Sequence, residues 1–122
     1  VLYYGDPVSK NFNWGTNQGT ATMDLVGIGT VKKLEVSFDY YFDGETGGAG
    51  SYDDWTCHVG NVLVFNKSMS GFAGKAWINF KKAIDVVGQT PTLKFTFDSK
   101  DSVGNTGFGL AIDNLKVTVP CQ

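Results

Sequence analysis

Five carboxylates crowd one stretch of the chain: Asp39, Asp43, Glu45, Asp53 and Asp54, on either side of Gly47-Gly48-Ala49-Gly50. Calcium takes about six to eight hard oxygen ligands and accepts backbone carbonyls beside carboxylates, which a glycine-rich loop supplies. Asp43, Glu45, Asp53 and Asp54 are therefore candidate ligands of a structural calcium. Their spacing is not that of an EF-hand, and the alternative is a solvated acidic loop that keeps a sheet edge soluble. A second candidate is Asp113, in the run Leu110-Ala111-Ile112-Asp113-Asn114-Leu115. A carboxylate within an apolar strand is costly unless its charge is paired, hydrogen-bonded or metal-bound. Either a cation or the backbone donors of a bulge would meet that need at Asp113.

The aromatic residues offer a different chemistry. Sugars stack their apolar faces on indole and phenol rings while nearby amides and carboxylates take the hydroxyls. Trp14, Tyr52 and Trp55 fall in or beside expected loops. Tyr41 lies on the polar face of its strand, and Trp77 and Asn79 share the face opposite Ala76, Ile78 and Phe80. These six residues, Trp14, Tyr41, Tyr52, Trp55, Trp77 and Asn79, are candidate ligand-binding residues. Against this stands the tendency of tryptophan to be largely buried, since a β core can absorb all three indoles.

Nucleophilic chemistry finds little support. Cys57 precedes His58, the lone histidine, but neighbours on a strand point to opposite faces. A disulfide from Cys57 to Cys121 is the expected use of the two thiols, contributing roughly 4 kcal/mol in the chain-entropy model. Paired acids such as Asp39 with Asp53, or Glu45 with Asp98, would have to flank a cleft to hydrolyse a glycoside, and no nucleophile elbow is present. The expectation is a chain that is not an enzyme. Asn66-Lys67-Ser68 forms an N-glycosylation sequon at an expected surface turn.

Composition narrows the partners. The 122 residues include ten basic residues, all lysine, against twelve acidic ones, for a net charge of −2. Without arginine, bidentate contacts to phosphate and guanine are missing, which argues against nucleic acid. No apolar run approaches the length of a membrane helix. The chain opens on Val1, as a processed mature form or a module of a larger chain would.

The elements that must position these residues are strands. Leu34, Val36, Phe38, Tyr40 and Phe42 alternate with polar residues, as do Leu93, Phe95 and Phe97. Ala21, Met23 and Leu25 mark an earlier strand, and Ala76, Ile78 and Phe80 another. Lys81 to Val87 suits either a helical turn or a short strand. Trp55–Val59 and Val62–Phe65 flank Gly60-Asn61, a sequence that fits a type II′ hairpin turn. Phe108, Leu110 and Ile112 share one phase of the last strand, whereas Leu115, Val117 and Val119 continue in the other, which places a bulge near Asp113-Asn114. Short strands joined by glycine-rich turns predict an all-β, two-sheet antiparallel sandwich or barrel, in a single domain over residues 1–122.

The ending GFGLAIDNLKVTV, with VSFDYYF and DDWTCHVGNVLVF before it, resembles the secreted jelly-roll sandwiches, over about residues 33–119. These include carbohydrate-binding modules, MAM-type adhesion domains and cleaved-adhesin domains. The resemblance implies a jelly-roll β-sandwich, and an aspartate at the position of Asp113 that holds structural calcium. It also implies a secreted, extracellular, non-catalytic, lectin-like module with a glycan as ligand. The alternative it implies is an adhesive or structural module that contacts a cell-surface or matrix protein.

Overall fold

The alternation is realised as eight antiparallel strands in a computed structural model that describes residues 1–26, 32–45, 52–67, 75–86 and 91–120. The strands are β1 (Leu2–Tyr4), β2 (Gln18–Asp24), β3 (Lys33–Asp43), β4 (Asp54–Val59), β5 (Val62–Asn66), β6 (Trp77–Asp85), β7 (Thr92–Asp98) and β8 (Gly109–Thr118). One sheet has the order β1-β8-β3-β6 and the other β2-β7-β4-β5. Strands that alternate between two four-stranded sheets in this order form a jelly roll, as expected.

Each strand turns its apolar set toward the other sheet. On β3, Leu34, Val36, Phe38, Tyr40 and Phe42 are buried. Phe38 sits at the centre, with ring contacts to Trp55, Phe65, Phe80 and Phe95. Lys81 to Asp85 continues β6 as strand, with Ile84 buried. At the β4–β5 hairpin, Gly60 has φ +56 and Asn61 does not enter the positive region, the sign pattern of the expected turn.

Two irregularities shape one outer face. Ser37 pairs with Lys116 and Asp39 with Asp113, so Asn114 and Leu115 together oppose Phe38. This is the expected bulge, and Asn114 takes φ +50 within it. The second lies at Gly109, with φ +96. A side chain there would collide with the carbonyl oxygen of Tyr4, so the close approach of β1 requires glycine. The turn of the backbone at Gly109 also breaks the phase between Phe108 and Leu110. Leu110 enters the core, whereas Phe108 emerges on the outer face against Tyr3 and Tyr41. Expected alternation would have put both on one side.

Candidate functional site

The outer face of the β1-β8-β3-β6 sheet carries one aromatic row. Tyr3 pairs with Ala111, Ala111 with Tyr41, and Tyr41 with Trp77, so the row crosses all four strands. Ala111 is small and buried, and the rings close over it. Phe108 stacks on Tyr3 at 4.5 Å and meets Tyr41 edge-on at 5.4 Å, while Tyr41 lies 5.9 Å from Trp77. Trp77 is 54% exposed, which leaves its indole open to solvent. Three strand spacings make this row about 14 Å long.

A polar row runs beside it. Asp39 faces outward two residues from Tyr41, and both of its oxygens accept side-chain amides at 2.7 Å, one from Asn79 on β6 and one from Asn114 in the bulge. These bonds, Asn114's first, hold the Asp39 carboxyl below the usual range, with Lys116 adding to the effect. Each amide spends one N–H on Asp39 and keeps its carbonyl and second N–H for a ligand. On the other side of the aromatics, Asp43 accepts the Phe108 N–H at 3.1 Å and pairs with Lys75 at 3.9 Å. Asp43 thereby fixes Phe108, the ring that joins Tyr3 to Tyr41 in the aromatic row.

The structure thus brings together Tyr41, Trp77 and Asn79, and adds Tyr3, Phe108, Asp39 and Asn114. The other aromatic candidates lie elsewhere. Trp55 is 1% exposed and stacks on Phe65 at 4.3 Å, because Trp55 occupies the inward phase of β4. It is a core residue and not a ligand contact. Trp14 packs edge-on to Tyr4, which lies on the opposite face of β1 from Tyr3. Tyr52 is exposed and makes no ring contact among the described residues.

The acidic candidates do not converge. Asp113 stands half-exposed on the same outer face, where it accepts the N–H of Asn114 at 2.9 Å and approaches the Val1 ammonium at 3.8 Å. Its charge is met by the bulge backbone and by the N-terminal ammonium. Asp54 points to the outer face of the other sheet and accepts the Trp55 N–H. Glu45 and Asp53 remain together: Asp53 is fully buried and accepts the Glu45 N–H at 2.6 Å. The cation beside them is Lys67, also fully buried, which donates to the carbonyl oxygens of Asp53 and Glu45. Among the described residues, no group of three or more acidic, cysteine or histidine side chains could hold a metal. Residues 46–51, the centre of this loop, lie outside the described residues.

The expected Cys57–Cys121 bridge is corrected: Cys57 is a free thiol, fully buried in the core. Its inward phase on β4 places it between the sheets, and burial pushes its thiol up to about 12. Cys121 lies outside the described residues. Asn66 ends β5 half-buried, with its side-chain oxygen enclosed and Ser68 of the sequon outside the described residues. His58 is half-buried opposite Lys94, and burial followed by that charge lowers its pKa, so the ring is neutral at pH 7.

Clefts elsewhere among the described residues compete with the aromatic face. One, of about 210 Å³, opens between edge strands β1 and β2, with a mostly apolar lining that includes Tyr4, Ala21, Phe97 and Leu110. Another, of about 180 Å³, lies over Gln18, Thr56, Thr96 and Asp98 on the opposite sheet. Among the described residues, the aromatic face is the one that joins exposed rings to oriented amides.

No protein family and no curated protein matches the sequence. A solved structure shares the fold. Dimeric latent PorU from Porphyromonas gingivalis is similar over 95% of this chain at 16% identity, with a TM-score of 0.50. The match covers 10% of the PorU chain, so this chain corresponds to a small part of that protein's length. At this identity the likeness is one of fold alone.

Proposed function

We propose that this chain is a non-catalytic, extracellular carbohydrate-binding module, and that its site is the outer face of the β1-β8-β3-β6 sheet. The observation that carries the reading is the pairing of the Tyr3–Phe108–Tyr41–Trp77 row with Asn79 and Asn114, both oriented by Asp39. Rings take the flat C–H faces of sugars, and the free amide groups take hydroxyls. A row about 14 Å long suits a short run of a chain, lying across the strands, better than one monosaccharide.

The flanking charges select the ligand further. The rings lie between Asp39 on one side and Asp43 on the other, so an anionic glycan meets two carboxylates. An uncharged glycan with equatorial hydroxyls, whose rings present flat apolar faces, fits this strip. The strip is narrow, bounded on both sides by polar residues, whereas a stable protein interface takes about 800 Å² from each partner.

The test is a glycan array spanning neutral and acidic oligosaccharides, followed by calorimetry on any hit with Trp77→Ala and Tyr41→Ala. Binding to neutral glycans that falls at least tenfold in both variants supports the site. Silence across the array, or affinity that survives both substitutions, overturns it and leaves an adhesive, protein-contacting module.

A further inference from the structure

The jelly-roll resemblance and the acidic loop both lead to the expectation of a structural calcium, and the chemistry around Lys67 disagrees with it. Lys67 follows β5 and is fully buried, a state that lysine almost never takes unless its charge is met. Its ammonium donates to the carbonyl oxygens of Asp53 and Glu45, the two residues that border the acidic loop. The charges of Asp54, Asp53 and Glu45 all act on it. Around the same place, Asp53 Oδ1 and Glu45 Oε2 are enclosed and lack a hydrogen-bond partner among the described residues. The Glu45 side chain lies where a Gly104 side chain would begin, which closes the loop from the β7–β8 side.

Carbonyl and carboxylate oxygens facing inward are the ligand set of a hard cation. Here a cation carried by the chain itself stands among them. We propose that the Lys67 ammonium serves as the internal counter-ion of the acidic loop, in the place a structural calcium would take, so that the module is stable without a metal. Ammonium and calcium would compete for the same carbonyls, and the tethered ion, which loses no translational freedom, excludes the free one.

Truncation of Lys67 leaves two carbonyls and two unpartnered carboxylate oxygens around a vacated space, which is a latent site for an exogenous cation.

The experiment uses the full chain. Thermal melts of the wild-type protein are recorded with millimolar calcium chloride and with chelator. Coincident melting temperatures are expected, and a calcium-dependent rise of several degrees overturns the proposal whatever the variants do. Lys67→Met, which keeps the methylene stem and removes the charge, is expected to melt several degrees lower and to ignore calcium. An unchanged melting temperature for Lys67→Met also overturns the proposal. Lys67→Ala is expected to be destabilised, and to recover stability as calcium is added, with binding detected by calorimetry. If calcium neither binds nor stabilises folded Lys67→Ala, the placement of Lys67 in a cation site is wrong.

Discussion

Asn114 donates its side-chain amide to Asp39 across 2.7 Å, and so ties the bulge of β8 to the middle of β3. The bulge alone would let Asn114 point freely into solvent. The carboxylate holds it, and holds Asn79 from the other side at the same distance. Asp39 is therefore a positioning residue for two amides, one on each of its oxygens.

It follows that Asp39→Ala weakens glycan binding severalfold and leaves the fold intact, because the site is on the surface. Since the Asp39 carboxyl titrates below its usual value of 3.8, wild-type affinity is expected to be level from pH 8 to about pH 4 and to fall only in stronger acid. Calorimetric titrations of wild type and variant across that range check both statements. Decline near neutral pH would assign the pH dependence to another group.

The three tryptophans separate by role. Trp77→Ala removes an exposed indole and changes stability by less than about 0.5 kcal/mol while abolishing glycan affinity. Trp55→Ala empties the stacked Trp55–Phe65 centre of the core and costs roughly 3–5 kcal/mol. Trp14→Ala leaves binding unchanged. Urea melts and binding isotherms on the three variants suffice.

Asp53 sets a pH signature. Burial raises its carboxyl to about 6 in the folded protein, against 3.8 as the unperturbed value, with the Glu45 N–H bond opposing and the Glu45 charge adding. The folded state holds this proton more tightly than the unfolded one. Its favourable contribution is complete below pH 3.8 and is lost as pH rises through about 6. Asp53→Asn should therefore remove part of the decline in stability between pH 4 and pH 7. A stability profile by denaturant melts would contradict this if both proteins declined in parallel.

Cys57 is predicted to be inert. With its thiol buried and pushed up to about 12, thiol reagents label it only after unfolding, and reductant leaves the melting temperature unchanged. Peptide mapping of alkylated native protein reads this directly. A recovered Cys57–Cys121 cross-link would refute the free thiol.

The strands and their facing were legible because period-two alternation is imposed by burying one face of each strand. Leu34 to Phe42 and Leu93 to Phe97 carry that signal without interruption, and even the bulge at Asn114 left its mark as a change of phase. The site was half legible. Tyr41, Trp77 and Asn79 could be placed on an outer face from alternation, but nothing local showed that β3 and β6 are neighbours. Phe108 was hidden by Gly109, whose positive φ reverses the facing that spacing alone implies. Asp39 read as one of the five clustered carboxylates and not as the holder of two amides, because its amide partners lie 40 and 75 residues away. Trp55 misled for the opposite reason: it borders a long loop in sequence yet begins the inward phase of its strand. Lys67 gave no sign at all, since a lysine beside a turn is ordinarily solvated.

The aromatic row joins Tyr3 on β1 to Ala111 on β8, so the first and last strands of the described chain are hydrogen-bonded neighbours in the sheet that carries it. Pairings between such distant segments raise contact order and slow folding. During synthesis the platform remains incomplete until β8 has emerged. Until then Tyr41 and Trp77 lack the strand that separates them from Tyr3, and Phe108, which leads into β8, arrives only with it. Sugar affinity would thus be acquired in one late step, as a report that the whole chain has closed.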